Sequence, residues 1–196
     1  MTLRLLLLGA AYLCGSVPFG LVLARLRRVD LRAVGSGNVG ATNAARALGR
    51  GLGALTLFLD AAKAVVPLYV AEQVLPSGAD KPWWVVSVAL CAFLGHLFPC
   101  LAGFAGGKGV ATALGIFLYL SPMATLLGVL VWLLLFAWTR ISSVGSLGAV
   151  CAFPVWLVLL KAETPLLVLS VVLLLLILVR HRQNLVRLWN RTEQKL

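Results

Sequence analysis

The chain has 196 residues, 61% of them hydrophobic and only 12% charged, with a mean hydropathy of +1.01. Soluble domains are about half apolar, so the composition excludes an ordinary soluble domain and points to an all-α polytopic membrane protein. Seventeen Lys+Arg against six Asp+Glu leave a net charge of +11, but the basic residues lie between the apolar runs, which favours membrane orientation and anionic lipid or substrate over nucleic acid.

The first apolar run predicts a helix over about 3–26. Its long core, Pro18 and the arginines behind it offer no cleavage site, so it is expected to span the membrane rather than act as a signal peptide. A polar loop of some twenty-five residues follows. The second helix is expected over about 52–75 and the third over about 82–102. The run Val110–Trp138 is broken at Ser121-Pro122, because proline disfavours helical geometry in the residue before it. Each half then has about 12–17 residues, about 18–26 Å at 1.5 Å per residue, which is short for a span. A sixth helix starts near Arg140–Ser143 and a seventh covers Thr164–Val179.

Charge decides the count. Arg25, Arg27, Arg28, Arg32, Arg46 and Arg50 lie in or beside the first loop, and Arg180, Arg182, Arg187, Arg191 and Lys195 in the tail. The positive-inside rule puts both clusters on the cytoplasmic side. Asp80 balances Lys81, and Lys161 balances Glu163, as expected of outer connections. Six spans would leave the basic tail outside and seven keep it inside. The expected architecture is therefore one domain over 1–196 with seven transmembrane helices, several of them short, the N-terminus outside and the C-terminus cytoplasmic. The first loop, the Gly103–Gly109 loop, the Arg140–Ser143 turn and the tail then share the cytoplasmic face.

Those four segments hold the unusual polar residues. In "RAVGSGNVGATNAARALGRG", positions 32–51, Gly35, Gly37 and Gly40 permit positive φ and close backbone approach. Ser36, Asn38, Thr42 and Asn43 offer short donors and acceptors. Ala44–Leu48 reads as a short helix with Thr42 or Asn43 at its cap, Gly49 behind it and Arg46 in its first turn. Amides at a helix start attract anions, so the stretch resembles a phosphate cradle. "GFAGGKGVAT", from Gly103, fails the P-loop pattern: Ala102 stands where the first glycine belongs and Gly109 follows Lys108. It still sets one cation among glycines ahead of an apolar helix. "RHRQN" puts His181 and Asn184 on one helical face, and "TRISSVGS" groups Ser142, Ser143 and Ser146, small residues suited to close helix packing.

Asp60 and Lys63 lie within a span at i, i+3 and are expected to form a structural ion pair near the inner leaflet. His96 approaches the inner face with its role open. Cys14, Cys91, Cys100 and Cys151 have no metal-ligand spacing and read as free thiols. There is no G-x-S-x-G elbow, no H-x-x-x-x-D, and no carboxylate pair in a cytoplasmic loop. What is left suits substrates with more than one phosphate and calls for no metal or cofactor. A transporter for a phosphorylated solute would need polar groups at the midplane, and only Asp60 and Lys63 offer them.

"GSGNVGATNAARALG", "GGKGVAT" and "RHRQN", in this order and spacing, resemble the PlsY-type family of bacterial membrane acyl-phosphate:glycerol-3-phosphate acyltransferases, over the whole chain. The resemblance implies a seven-helix enzyme of the bacterial cytoplasmic (inner) membrane with its active site on the cytoplasmic face. It implies acyl transfer from acyl phosphate to the 1-hydroxyl of glycerol 3-phosphate, giving lysophosphatidic acid and phosphate, the first step of phospholipid biosynthesis. Its partners would be acyl phosphate, glycerol 3-phosphate and membrane lipid, with no nucleic acid; the oligomeric state is left open, a monomer being compatible with the sequence. Ser36, Gly37, Asn38, Gly40, Ala41 and Thr42 would line the phosphate-binding loop, with Asn43 and Gly107 among the substrate-binding positions. Arg46, Lys108, His181 and Asn184 would hold glycerol 3-phosphate, and Ser143 matches the family's serine at the fifth-to-sixth helix junction. Ile141-Ser142 departs from the aromatic–apolar pair that precedes it in the family. The catalytic set implied is Ser36, Asn38, Lys108 and His181, with His181 placed as a binding group ahead of a general base.

Overall fold

The computed structural model describes residues 1–195, which form α-helices joined by short irregular segments. Within the single domain expected, the helices cluster into two compact units, Met1–Tyr119 and the chain from Leu120 onward.

The first unit opens with α1 (Thr2–Gly15) and α2 (Phe19–Leu26). One helix was expected over 3–26. Pro18 breaks it, since proline lacks the amide hydrogen and its ring clashes with the preceding turn. At the break the Val17 carbonyl accepts hydrogen bonds from the Phe19 amide at 3.2 Å and from Lys63 Nζ at 2.9 Å, the kind of repair that lets broken helices persist in a membrane. An irregular loop leads to α3 (Ala41–Leu48), which packs on α4 (Arg50–Val74). Leu31 and Ala44 are fully buried beside Ala24, so a small apolar core lies beneath the loop. Then come α5 (Lys81–Leu97), a 3-10 turn at Cys100–Ala102, and α6 (Val110–Leu120). The third helix, expected to run to 102, stops at Leu97 because Pro99 cannot continue it.

Small residues set the closest packing. A Cβ built on Gly95 of α5 would run into the Tyr12 carbonyl oxygen of α1, and one on Gly15 of α1 would strike the Ala92 carbonyl of α5. Only glycines let these two backbones touch, as in helix pairs inside a bilayer. The Tyr12 hydroxyl donates to the Phe98 carbonyl at 2.6 Å, satisfying an orphan acceptor at the end of α5.

The second unit holds α7 (Pro122–Thr139), α8 (Ser142–Leu159), α9 (Thr164–Arg180) and α10 (Arg182–Trp189). The break expected at Ser121-Pro122 is present. α7 and α8 are joined through Arg140, which adopts φ 61°, and pack extensively; α8 packs on α9. Trp132 stacks on Phe136 and donates from Nε1 to Ser146 Oγ at 3.3 Å, which accounts for a small hydroxyl residue at 146.

Among the described residues, five segments are long and apolar enough to cross a membrane: Thr2–Leu26, Arg50–Val74, Lys81–Ala102, Pro122–Thr139 and Ser142–Leu159, the last being α8.

 The α9–α10 pair, bent by 59° at His181, is a sixth candidate, and α6, with 11 residues, is a shorter apolar helix. If Gly95 sets the α1–α5 contact, Gly95→Leu should destabilise the protein by about 1–3 kcal/mol or more, the cost of overpacking. Gly9→Leu, where no atom lies within 4 Å of the new Cβ, should leave the detergent unfolding temperature unchanged. Equal shifts for the two variants would contradict this packing.

Candidate functional site

The first polar loop is built by its own backbone. The Asp30 carboxylate accepts from the Arg32 amide at 2.9 Å, an Asx turn that opens it. Gly35 and Gly37 follow with φ of 59° and 68°, left-handed values that suit glycine. Asn43 then holds the loop shut: its Oδ1 accepts from the Ser36 amide at 3.0 Å, and its Nδ2 donates to the carbonyls of Leu31 and Val34 at 2.9 and 3.0 Å. Asn43 was expected at a helix cap and among the substrate-binding residues. It lies buried inside α3 and not at the cap, and donates both amide hydrogens to the loop backbone.

The short helix also starts earlier than expected, at Ala41, with Gly40 as its N-cap. Its positive end therefore lies at Gly40–Thr42. Arg46 falls in the last turn and not the first. Helical side chains lean toward the N-terminus, and the Arg46 stem does so, with Cδ 3.9 Å from the Cβ position of Gly35. Ser36, Gly37, Asn38, Gly40, Ala41 and Thr42 remain half-buried along this loop and helix start, within reach of solutes.

The second glycine loop lies in the same unit. Arg32 Nη2 donates to the carbonyls of Ala102 and Ala105, at 3.0 and 3.2 Å, and so ties the two loops together. Gly107 is buried and Lys108 half-buried, just ahead of α6. Val39 of the first loop and Gly106 and Gly107 of the second line one small cleft with Asp60, Lys63 and His96. The expected ion pair is present, with Lys63 Nζ 2.8 Å from Asp60 Oδ1 and both side chains buried. His96 Nδ1 lies 3.8 Å from the same carboxylate oxygen. The polar groups that a transport path would need are thus engaged with one another and with the Val17 carbonyl.

The remaining expected residues lie in the second unit. His181 is buried at the bend between α9 and α10. Its Nδ1 is 2.9 Å from the Ile177 carbonyl; a carbonyl only accepts, so Nδ1 carries the proton, and in the neutral ring Nε2 keeps the lone pair. Ser143 and Asn184 are brought together by Glu193: Ser143 Oγ donates to Oε1 at 2.9 Å, Asn184 Nδ2 donates to the same oxygen, and Arg187 Nε donates to Oε2. Burial pushes the Glu193 carboxyl up, and the hydrogen bonds from Arg187, Asn184 and Ser143 outweigh it and hold the group below the ordinary carboxylate range. Among the described residues, no three or more His, Cys, Asp or Glu side chains gather where a metal could be held, and the four cysteines are free.

Two organising residues escape a reading of motifs. Glu193 had one signal, being the only acid after Glu163 in a basic tail. Arg32 was visible only as one of many orienting charges.

Both loop devices can be tested. Asn43→Ala strands one amide and two carbonyls, at about 1–3 kcal/mol for each group left buried and unsatisfied. The Arg27–Arg46 segment should then be cut faster by trypsin, and an unchanged cleavage rate would count against Asn43 as the loop's pin. For Glu193, a lowered native pKa means that its stabilisation is complete above the ordinary carboxylate value and is lost as pH falls through the native one. The wild-type unfolding temperature should therefore fall on acidification more steeply than that of Glu193→Gln; parallel curves would refute the clasp.

Known proteins share this chain over nearly its full length. The family model for glycerol-3-phosphate acyltransferase matches residues 5–191. A glycerol-3-phosphate acyltransferase of Anaeromyxobacter dehalogenans (strain 2CP-1 / ATCC BAA-258) is 51% identical over 97% of this chain and 96% of its own. That of Aquifex aeolicus (strain VF5) is 44% identical over 94% and 95%. The crystal structure of PlsY (YgiH), an integral membrane glycerol 3-phosphate acyltransferase, in its glycerol 3-phosphate form matches with a TM-score of 0.93 and 42% identity, over 98% of this chain and 95% of that one. Its lysophosphatidic acid form matches with a TM-score of 0.90 and 40% identity. A membrane-embedded helical chain that matches these relatives from end to end belongs to the glycerol-3-phosphate acyltransferase family.

Proposed function

We propose that this chain transfers a fatty acyl group from acyl phosphate to the 1-hydroxyl of glycerol 3-phosphate, releasing lysophosphatidic acid and phosphate. The observation that carries the reading is the pair of glycine-rich loops tied together by Arg32, with Arg46 leaning on one and Lys108 set in the other. Backbone amides, a helix start and two cations are groups for anions. In the first unit, Ser36, Asn38 and the amides of Gly37–Thr42 take phosphate, and Arg46 and Lys108 balance its charge. In the second unit, Ser143, His181 and Asn184 supply hydrogen bonds for the acceptor's polar groups.

The chemistry asks for little more. An acyl phosphate is already activated. The glycerol hydroxyl oxygen attacks the acyl carbon, the bond from that carbon to the phosphate oxygen breaks, and the departing phosphate takes the hydroxyl proton. No protein nucleophile and no metal ion enters. Holding the two reactants in line supplies about 7–11 kcal/mol, and fixed donors stabilise the oxyanion that forms on the carbonyl. His181 binds substrate through Nε2 rather than acting as the base.

The orientation proposed is the one charge favours: seven crossings of the bacterial inner membrane as one acyltransferase domain, the N-terminus outside, and the glycine loops and basic tail cytoplasmic. Counting α6 and α9 as spans requires local thinning or burial among neighbours, because α6 covers only about 16 Å at 1.5 Å per residue.

Purified protein in detergent should make lysophosphatidic acid from palmitoyl phosphate and glycerol 3-phosphate with EDTA present. Product formed from acyl-CoA but not from the acyl phosphate would overturn the donor. Lys108→Ala and Arg46→Ala should each abolish turnover with the unfolding temperature kept; near-native rates in both would remove the phosphate assignment.

A further inference from the structure

We propose that His96, backed by Asp60 and Lys63, is a positioning residue that sets the Gly106–Lys108 backbone for acyl transfer; this rests on reading Lys108 as a phosphate-holding cation. None of the three polar motifs contains these residues, and all three side chains are buried.

The contact is specific. The imidazole lies against Gly107, where a Cβ would collide with Nε2 and fall 2.8 Å from Cε1 and 3.3 Å from Cδ2. The His96 carbonyl accepts from the Gly107 amide at 3.2 Å. A Cβ on Gly106 would meet that carbonyl, the Leu97 carbonyl at 2.7 Å and Pro99 Cδ at 2.6 Å. One residue thus holds both members of the glycine pair that precedes Lys108. Neither glycine has a positive φ, so it is the His96 surface, and not a left-handed backbone, that excludes a side chain there.

Behind the ring a chain of polar contacts leads to the helix break. His96 Nδ1 faces Asp60 Oδ1 at 3.8 Å, Asp60 pairs with Lys63 at 2.8 Å, and Lys63 donates to the Val17 carbonyl at 2.9 Å. Buried ion pairs contribute little net stability and are best attested as devices that fix one arrangement. Here the arrangement fixed is that of the imidazole, and through it the loop. Gly103 and Gly109, with φ of 65° and 90°, bound a segment that has few side chains of its own to hold it. A misplacement of about 1 Å far from the reacting atoms can cost about 100-fold in rate.

The full chain in detergent, assayed with palmitoyl phosphate and glycerol 3-phosphate, gives the test. His96→Ala should lower kcat/KM about 100-fold, mainly by raising KM for glycerol 3-phosphate. Gly107→Ala should be strongly impaired alone, yet cost less than about two-fold when added to His96→Ala, because the ring it collides with is gone. An equal penalty for Gly107→Ala in both backgrounds, or native kinetics in His96→Ala, overturns the proposal. Should the alanine variant not fold, His96→Gln replaces it, with a smaller rise in KM expected and native kinetics again overturning. Lys108→Ala separates the two readings. Native rates there remove the phosphate assignment itself, whereas an inactive Lys108→Ala beside native-like His96 variants removes only the role of His96.

Discussion

The first unit is organised around an ion pair that sits where charge is most expensive. Asp60 and Lys63 are both buried in α4, and Lys63 is bound to the Val17 carbonyl at the break between α1 and α2. A charged side chain within a span survives only when it is paired and put to use. Its use here is structural at one end, where it repairs a broken helix, and local at the other, where Asp60 faces His96 beneath the second glycine loop. The glycine contacts between α1 and α5 complete this frame by bringing the ends of both helices together.

On that frame the polar loops need little material. Asn43 makes three hydrogen bonds to loop backbone and Arg32 two more across to the neighbouring loop. Side chains satisfy backbone groups at the corners, and the remaining amides near Gly40–Thr42 keep the positive end of α3. A loop pinned in this way has its backbone fixed by side chains from within and from outside the loop.

The second unit solves a similar problem with one carboxylate. Glu193 accepts hydrogen bonds from Ser143, Asn184 and Arg187, holding the start of α8 to α10 and the tail. The helix bend at His181 leaves that ring's Nδ1 bound to the preceding turn, so its tautomer is set by the fold. In both units the groups with chemistry to offer are oriented by residues that carry none of it.

The sequence by itself determined the helical membrane class, the break at Ser121-Pro122 and the ion pair at 60 and 63. Those follow from composition, proline geometry and i, i+3 spacing, which are local properties. It misplaced Arg46 and Asn43 on α3, because the start of a short helix depends on how the preceding loop closes and not on the residue types alone. It left His96, Arg32 and Glu193 without a part, because their partners stand far away along the chain: Arg32 reaches Ala105, His96 faces Asp60, and Glu193 meets Ser143. Only tertiary packing decides which distant carbonyl, ring or carboxylate comes within a few ångströms, and hydrogen bonds and close contacts act only over that range.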